Sequence, residues 1–148
     1  MAEAVQELFP GTQIAFGPAT DDGYFYDFLL PENISSDDFG AIEKKMQAII
    51  KERQRFVRRA VSDQEALDEE AGEPFKLELI HDKGSASSDD GSSVEVGKGE
   101  LTMYDNVRRN GEVAWKDLCR GPHVPSTKWI GNGFALMRSA AAYWRGSE

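Results

Sequence analysis

From Asp117 to Pro125 the chain reads Asp-Leu-Cys-Arg-Gly-Pro-His-Val-Pro, which gathers a carboxylate, a guanidinium, the single cysteine and one of the two histidines. No other window of the 148 residues is as dense in groups able to act as nucleophile, base or ligand. Cys119 and His123 are four apart, a spacing that would align them on one helix face. Gly121-Pro122 between them predicts a turn instead, because proline lacks the N–H that a helix interior needs. The group is therefore expected on a rigid loop at a strand end, where scaffolds hold functional side chains.

Three chemistries fit these residue types. Cys119 could be a thiolate nucleophile activated by His123, although no third group is evident to orient the histidine. Both could ligate zinc, which needs at least three protein ligands, so His81 or a carboxylate would have to join them. Alternatively, Asp117 takes a cationic amine in a polar pocket whose walls Cys119 and His123 shape. Beside these stands the ordinary fate of such residues: a lone cysteine is usually a small buried hydrophobe and a lone histidine a satisfied core residue. Spacing alone does not choose.

The elements that must hold this loop are readable in outline. At 148 residues and 40% hydrophobic composition the chain has the size of one domain with a core, and it contains no apolar run long enough to span a bilayer. One cysteine excludes an internal disulfide, and no signal peptide is evident, so a reducing cytoplasmic setting is expected. Residues 2–8 read as a helix stopped by Pro10-Gly11, and because Met1 falls inside its periodicity the helix is expected to continue beyond the amino end. Thr12 to Leu30, with Gly23 to Phe28 alternating, predicts a hairpin. Ser35 to Asp38 caps the longest helix, expected over about 36–54 with Phe39, Ile42, Met46, Ile49 and Ile50 on one face. A strand over 56–61, a short helix from the Ser62-Glu65 capping box to Glu69, and a strand over Phe75 to Ile80 follow, the last with Lys76 and Glu78 opposite Phe75, Leu77 and Leu79. Residues 83–99 are rich in Gly, Ser and Asp and read as a flexible insertion. Leu101 to Tyr104 and Val113 to Trp115 alternate as strands on either side of the Asn110-Gly111 turn signal. Strands interrupted by helices without βαβ alternation predict an α+β domain, with a mainly antiparallel sheet packed around a long helix.

The formal charge of −9 hides a division. Residues 43–59 hold seven basic groups against two acids, whereas residues 62–100 hold twelve acids against three basic groups. The acidic total argues against indiscriminate nucleic-acid binding but leaves room for a local cationic face. From charge alone, Lys44 to Arg59 reads as the solvated side of a helix and its following strand.

Cys119 to Pro125, with Gly17-Pro18, Asp22-Gly23-Tyr24-Phe25-Tyr26-Asp27 and Ala142-Tyr143-Trp144-Arg145-Gly146, resembles the editing domain of bacterial threonyl-tRNA synthetases over almost the whole chain. The related alanyl-tRNA synthetase editing domains share the Cys-x-x-x-His element, but their other blocks fit less well. The resemblance implies hydrolysis of the ester of serine wrongly attached to threonine tRNA. It implies that Asp117 binds the seryl amino group, that Tyr26 and His123 help place the terminal adenosine and ester, that Lys76 orients or activates water, and that Cys119 lines the pocket. Such a site is needed because one methyl yields only about 1–3 kcal/mol of discrimination. The family pattern also has a His-x-x-x-His pair on the first helix, and by spacing its second histidine falls just before Met1. The expectation is thus a domain truncated at its amino end and carrying half of a four-group constellation, with turnover depending on the missing pair. No cofactor is expected, since zinc would require those histidines. There is no room for an ATP-binding catalytic domain or an anticodon-binding domain. The expected partners are the tRNA acceptor end and the remainder of a synthetase, with no membrane. The alternative is a non-catalytic module binding the acceptor end through Lys44 to Arg59, Arg120 and Arg145.

Overall fold

In the computed structural model, which describes residues 1–82 and 100–144, the chain opens with helix α1, Ala2–Leu8, whose Ala4 and Val5 pack on Ile42, Met46 and Ile49 of helix α2, Phe39–Lys51. Those three α2 residues recur at the spacing of one helical face. A capping box between Ser35 and Asp38 nucleates a 3-10 turn, Ser36–Asp38, that leads into α2. The expected single helix over 36–54 is thus shorter than its apolar pattern suggests. Arg53 turns the chain with a φ of 52°, and Gln54 runs into the strand Arg55–Val61.

The aromatic stretch forms the expected hairpin as two short antiparallel ladders. Strand β1, Gln13–Ile14, pairs with β4, Phe28–Leu29, and β2, Ala19–Thr20, pairs with β3, Gly23–Tyr24. Between the ladders the hairpin closes on Tyr26 so tightly that a Cβ at Gly17 would overlap the tyrosine ring.

The largest sheet has the order β5–β6–β7, all antiparallel: β5 is Arg55–Val61, β6 Leu101–Val107 and β7 Val113–Leu118. Asn110 and Gly111 supply the turn between β6 and β7, with Gly111 at a φ of 87°. The central strand β6 is buried throughout. Helix α3, Asp63–Glu69, starts at the Ser62-Glu65 capping box as expected and packs with helix α4, Pro74–His81, over one sheet face. A core of Val61, Ala66, Leu79, Ile80, Leu101, Met103 and Leu118 forms there.

Helix α4 corrects the strand expected over Phe75 to Ile80. Pro74 occupies the first helical turn, where its missing N–H costs nothing. The short run satisfies both periods, because Lys76, Leu79 and Ile80 stand at i, i+3 and i+4 and are the residues that α4 buries. Lys76 is consequently not on an exposed strand face.

The α+β class stands, and every strand pairing among the described residues is antiparallel. No helix among them is long and apolar enough to cross a membrane. The insertion expected at 83–99, Arg145 and Gly146 lie outside the described residues.

Candidate functional site

Three elements distant in sequence converge at the end of β7. The ladder places Asp117 across from Tyr104 of β6. The hairpin delivers the Tyr26 hydroxyl, which donates to Asp117 Oδ2 at 2.7 Å. Helix α4 delivers Lys76, whose Nζ lies 3.0 Å from Asp117 Oδ1, donates to the Leu118 carbonyl at 3.3 Å and sits 5.7 Å from the centre of the Tyr26 ring. Lys76 is 0% exposed and Asp117 7%. Charges this dry persist only when paired, because desolvation costs several kcal/mol per ion. The Lys76 contact to Oδ1 is ionic, and among the described residues that buried oxygen has no aligned hydrogen-bond donor. Tyr26 is itself held by stacking on Phe28, with ring centres 5.0 Å apart.

The Cys119 to Pro125 loop forms the other half. Its first residue extends the ladder: Cys119 N–H donates to the Thr102 carbonyl, and the Thr102 hydroxyl returns a short bond to the Cys119 carbonyl. The Cys119 thiol lies 3.2 Å from His123 Nε2 and accepts from Gly121 N–H at 3.2 Å. His123 stacks on Phe56 at 5.0 Å, nearly parallel, and tilts against Tyr104 at 4.4 Å. Although one side of His123 is exposed, this enclosure lowers its pKa from 6.5, the Asp117 carboxylate opposing the shift. Gly121 has a φ of 72° and packs where a Cβ would overlap the Tyr104 hydroxyl, so both conformation and space demand glycine.

Tyr104 joins the halves, facing Asp117 along the ladder and touching His123. The structure thus brings Tyr26, Lys76 and Asp117 into contact, pairs Cys119 with His123 beside them, and leaves Arg120 exposed on the connecting loop. Among the described residues no three His, Cys, Asp or Glu side chains group so as to hold a metal ion.

Sequence reasoning missed Phe56, Tyr104 and Glu70. The two aromatics carried only a strand signal, and their role depends on a loop more than 15 residues away in the chain. Glu70 ends an acidic run that reads as a solvated helix terminus. It is 4% exposed, and its pKa is pushed up to about 7, first by burial and then by the Asp117 charge, with Lys76 opposing. It also lines a groove of about 310 Å³ with Gln6, Glu73 and Trp115, which contains none of the residues the sequence singled out.

Comparison with known proteins bears on the same residues. The family described as the threonyl and alanyl tRNA synthetase second additional domain matches residues 94–148, a span that includes Asp117, Cys119 and His123. Over its full length the chain is 61% identical to part of the threonine–tRNA ligase of Streptomyces coelicolor, and it is 57% and 55% identical to parts of those of Thermobifida fusca and Cutibacterium acnes. It spans 22%, 23% and 21% of these three relatives, about a fifth of their length.

Proposed function

We propose, from the match of residues 94–148 to the second additional domain of threonyl and alanyl tRNA synthetases, that the chain is an editing domain that hydrolyses the ester of serine misattached to threonine tRNA. The observation that carries this reading is the meeting of Lys76, Tyr26 and Asp117 beside His123. An aminoacyl ester presents an ammonium group next to its carbonyl, and Asp117 Oδ1 is a buried acceptor without an aligned donor among the described residues. The substrate ammonium takes a share of Asp117, so Lys76 loses part of its counter-charge while a second cation stands near. Both effects favour neutral lysine. Neutral Lys76 accepts a proton from water, and the hydroxide adds to the ester carbonyl. The ribose oxygen then leaves with the proton that Lys76 had taken up, which restores the lysine and releases serine. Such positioned proton transfer contributes about 10²–10⁴-fold.

The test is deacylation of seryl- and threonyl-tRNA by the 148-residue chain. Seryl ester loss is expected to exceed the protein-free rate and threonyl ester loss to stay near it. Lys76→Ala is expected to remove about 10²–10⁴-fold of the acceleration. Seryl loss no faster than without protein rejects catalysis by this chain.

A second reading, acceptor-end binding without turnover, draws on the same lysine. Lys76 is held by the Leu118 carbonyl as well as by Asp117. If both contacts persist with substrate bound, no base is freed. The proposed setting is the bacterial cytoplasm, with tRNA and the rest of a synthetase as partners and no cofactor.

A further inference from the structure

The groove that Glu70 lines lies outside the cleft and shares no residue with it. It follows the outer edge of β7, since four consecutive residues of that strand, 113–116, border it whichever face they point to. No strand among the described residues pairs with this edge. Gln6 of α1, Ile14 of β1 and the turn from α3 into α4 form the opposite wall.

Every polar side chain on these walls is engaged except one. Gln6 Nε2 donates to the Thr12 carbonyl at 3.0 Å and to Glu73 Oε1 at 2.9 Å, while Gln6 Oε1 accepts from the Trp115 indole at 2.7 Å. Glu73 Oε2 accepts from Ile14 N–H at 2.8 Å, and Glu69 accepts from both Arg59 and Lys116. Glu70, although only 4% exposed, makes no side-chain hydrogen bond or ion pair among the described residues. Its turn is pinned on both sides: Glu70 N–H donates to the Ala66 carbonyl at 2.9 Å, and the Glu70 carbonyl accepts from Glu73 N–H at 2.8 Å. Nor is its carboxyl sealed in. The fully enclosed side-chain oxygens without a partner, among the described residues, are those of Asn106 and Asp117, so the little surface Glu70 keeps includes its carboxyl and opens on the groove.

We infer that this groove is a second ligand site, taking a small primary ammonium with its charge on Glu70 and an apolar body along Val113 and Trp115. The site is separate from the proposed editing and stands whether or not that holds. A buried carboxylate without a donor is satisfied by a cation that hydrogen-bonds to it. Three carboxylates around the groove repel an anion, and with Glu69 and Glu73 engaged a single charge is left to meet. One free carboxyl is too few to replace the water of a metal ion, and the described residues hold no group of three metal-binding side chains. The rest of the ligand meets apolar surface: Val113 is 49% exposed, and the Trp115 ring offers a face that attracts cations. Without a ligand the fold meets the cost of burial by keeping Glu70 protonated to about pH 7, with Asp117 and Glu73 raising its pKa and Lys76 and Lys116 opposing.

The test is an NMR titration of the 148-residue chain with phenethylammonium, which stays charged through pH 8, followed at the Trp115 indole N–H. Trp115→Phe assigns that resonance, and the indoles of Trp129 and Trp144 serve as internal comparisons. Phenethyl alcohol carries the same body without charge, phenylacetate reverses the charge, and an acetyl-Val-Lys-Val-amide peptide presents the ammonium on a chain. Phenethylammonium is expected to move the Trp115 resonance alone and to bind more tightly than the other three. Its affinity should climb about tenfold from pH 6 to pH 8 as Glu70 gives up its proton. Glu70→Gln should weaken binding by roughly tenfold to a hundredfold and flatten the pH dependence. Val113→Lys, at a half-exposed position that tolerates the change, should weaken it too, and Lys44→Gln on the exposed flank of α2 should not. No movement of the Trp115 resonance at the solubility limit, or equal movement of all three indoles, overturns the site. Equal binding of phenethyl alcohol overturns the cationic class. An affinity flat from pH 6 to pH 8 in the unsubstituted chain, or unchanged by Glu70→Gln, overturns the role of Glu70. Tighter binding of the peptide overturns a free amine in favour of a protein segment on the β7 edge.

Discussion

The two halves of the cleft are built on opposite plans. At one end, Lys76, Asp117 and Tyr26 come from a helix, a strand and a hairpin and are in contact; Lys76 and Asp117 are nearly dry and Tyr26 is half-buried. At the other, Cys119 and His123 lie on one short loop that is held by aromatic rings and open to solvent on one side. At the dry end each charge exists because its partner does, and among the described residues the one spare acceptor of the pair is Asp117 Oδ1. The loop end is held by contact area, and one side of His123 is open to solvent. Recognition of a small charged moiety suits the first plan, and accommodation of a larger, variable group suits the second.

Four substitutions can break or sharpen this contrast, and the largest effect belongs to the dry end. Asp117→Ala strands a fully buried lysine, which typically costs about 3–5 kcal/mol, so a urea melt should show a large fall in midpoint with loss of deacylation. If His123→Ala costs as much, the distinction between the two ends fails. Next comes Glu70. In the folded chain it keeps its proton to about pH 7, whereas the unfolded chain gives it up near 4.5. Raising the pH through that window therefore removes stability, by roughly 3 kcal/mol at most. Glu70→Gln should flatten the dependence, read as melting temperatures at pH 5 and pH 8 that converge relative to the unsubstituted chain. Gly121→Ala forces a left-handed residue and displaces the Tyr104 ring, for an expected loss of about 1–3 kcal/mol. A melt unchanged by this substitution would mean that the loop is not anchored at Tyr104.

The smallest effect belongs to His123→Ala, which removes two ring contacts worth about 0.5–1.5 kcal/mol each at most. Because the folded pKa of His123 is lowered, the folded chain resists protonation that the unfolded chain accepts. Its contribution is complete above pH 6.5 and declines as the pH falls below that value. A histidine resonance titrating at or above 6.5 by NMR would contradict the enclosure described for it.

Much of this organisation was legible in the residues. The Ser62-Glu65 pair, the Asn110-Gly111 turn and the Gly121-Pro122 break each act through local hydrogen bonds or fixed dihedrals, so short-range reasoning found them. Helix α4 was not legible, because a run of six residues satisfies both periods and only packing against β6 and β7 decides. Lys76 was singled out on resemblance and placed on the wrong element. Its burial is set by Asp117, more than 40 residues later. Phe56, Tyr104 and Glu70 look like ordinary strand and helix-end residues. They acquire their roles from neighbours that the sequence does not put beside them.

Tyr104 carries a mechanical consequence. Its ring is wedged between the loop's glycine and His123, and it rises from β6, the most deeply embedded strand. The loop therefore cannot drift towards or away from the floor of the cleft without displacing the middle of the sheet. The editing proposed for this cleft asks it to tell a hydrogen atom from a methyl group; a gauge of that kind must be stiffer than the difference it measures, and the stiffness on offer is that of one six-membered spacer rooted in the core.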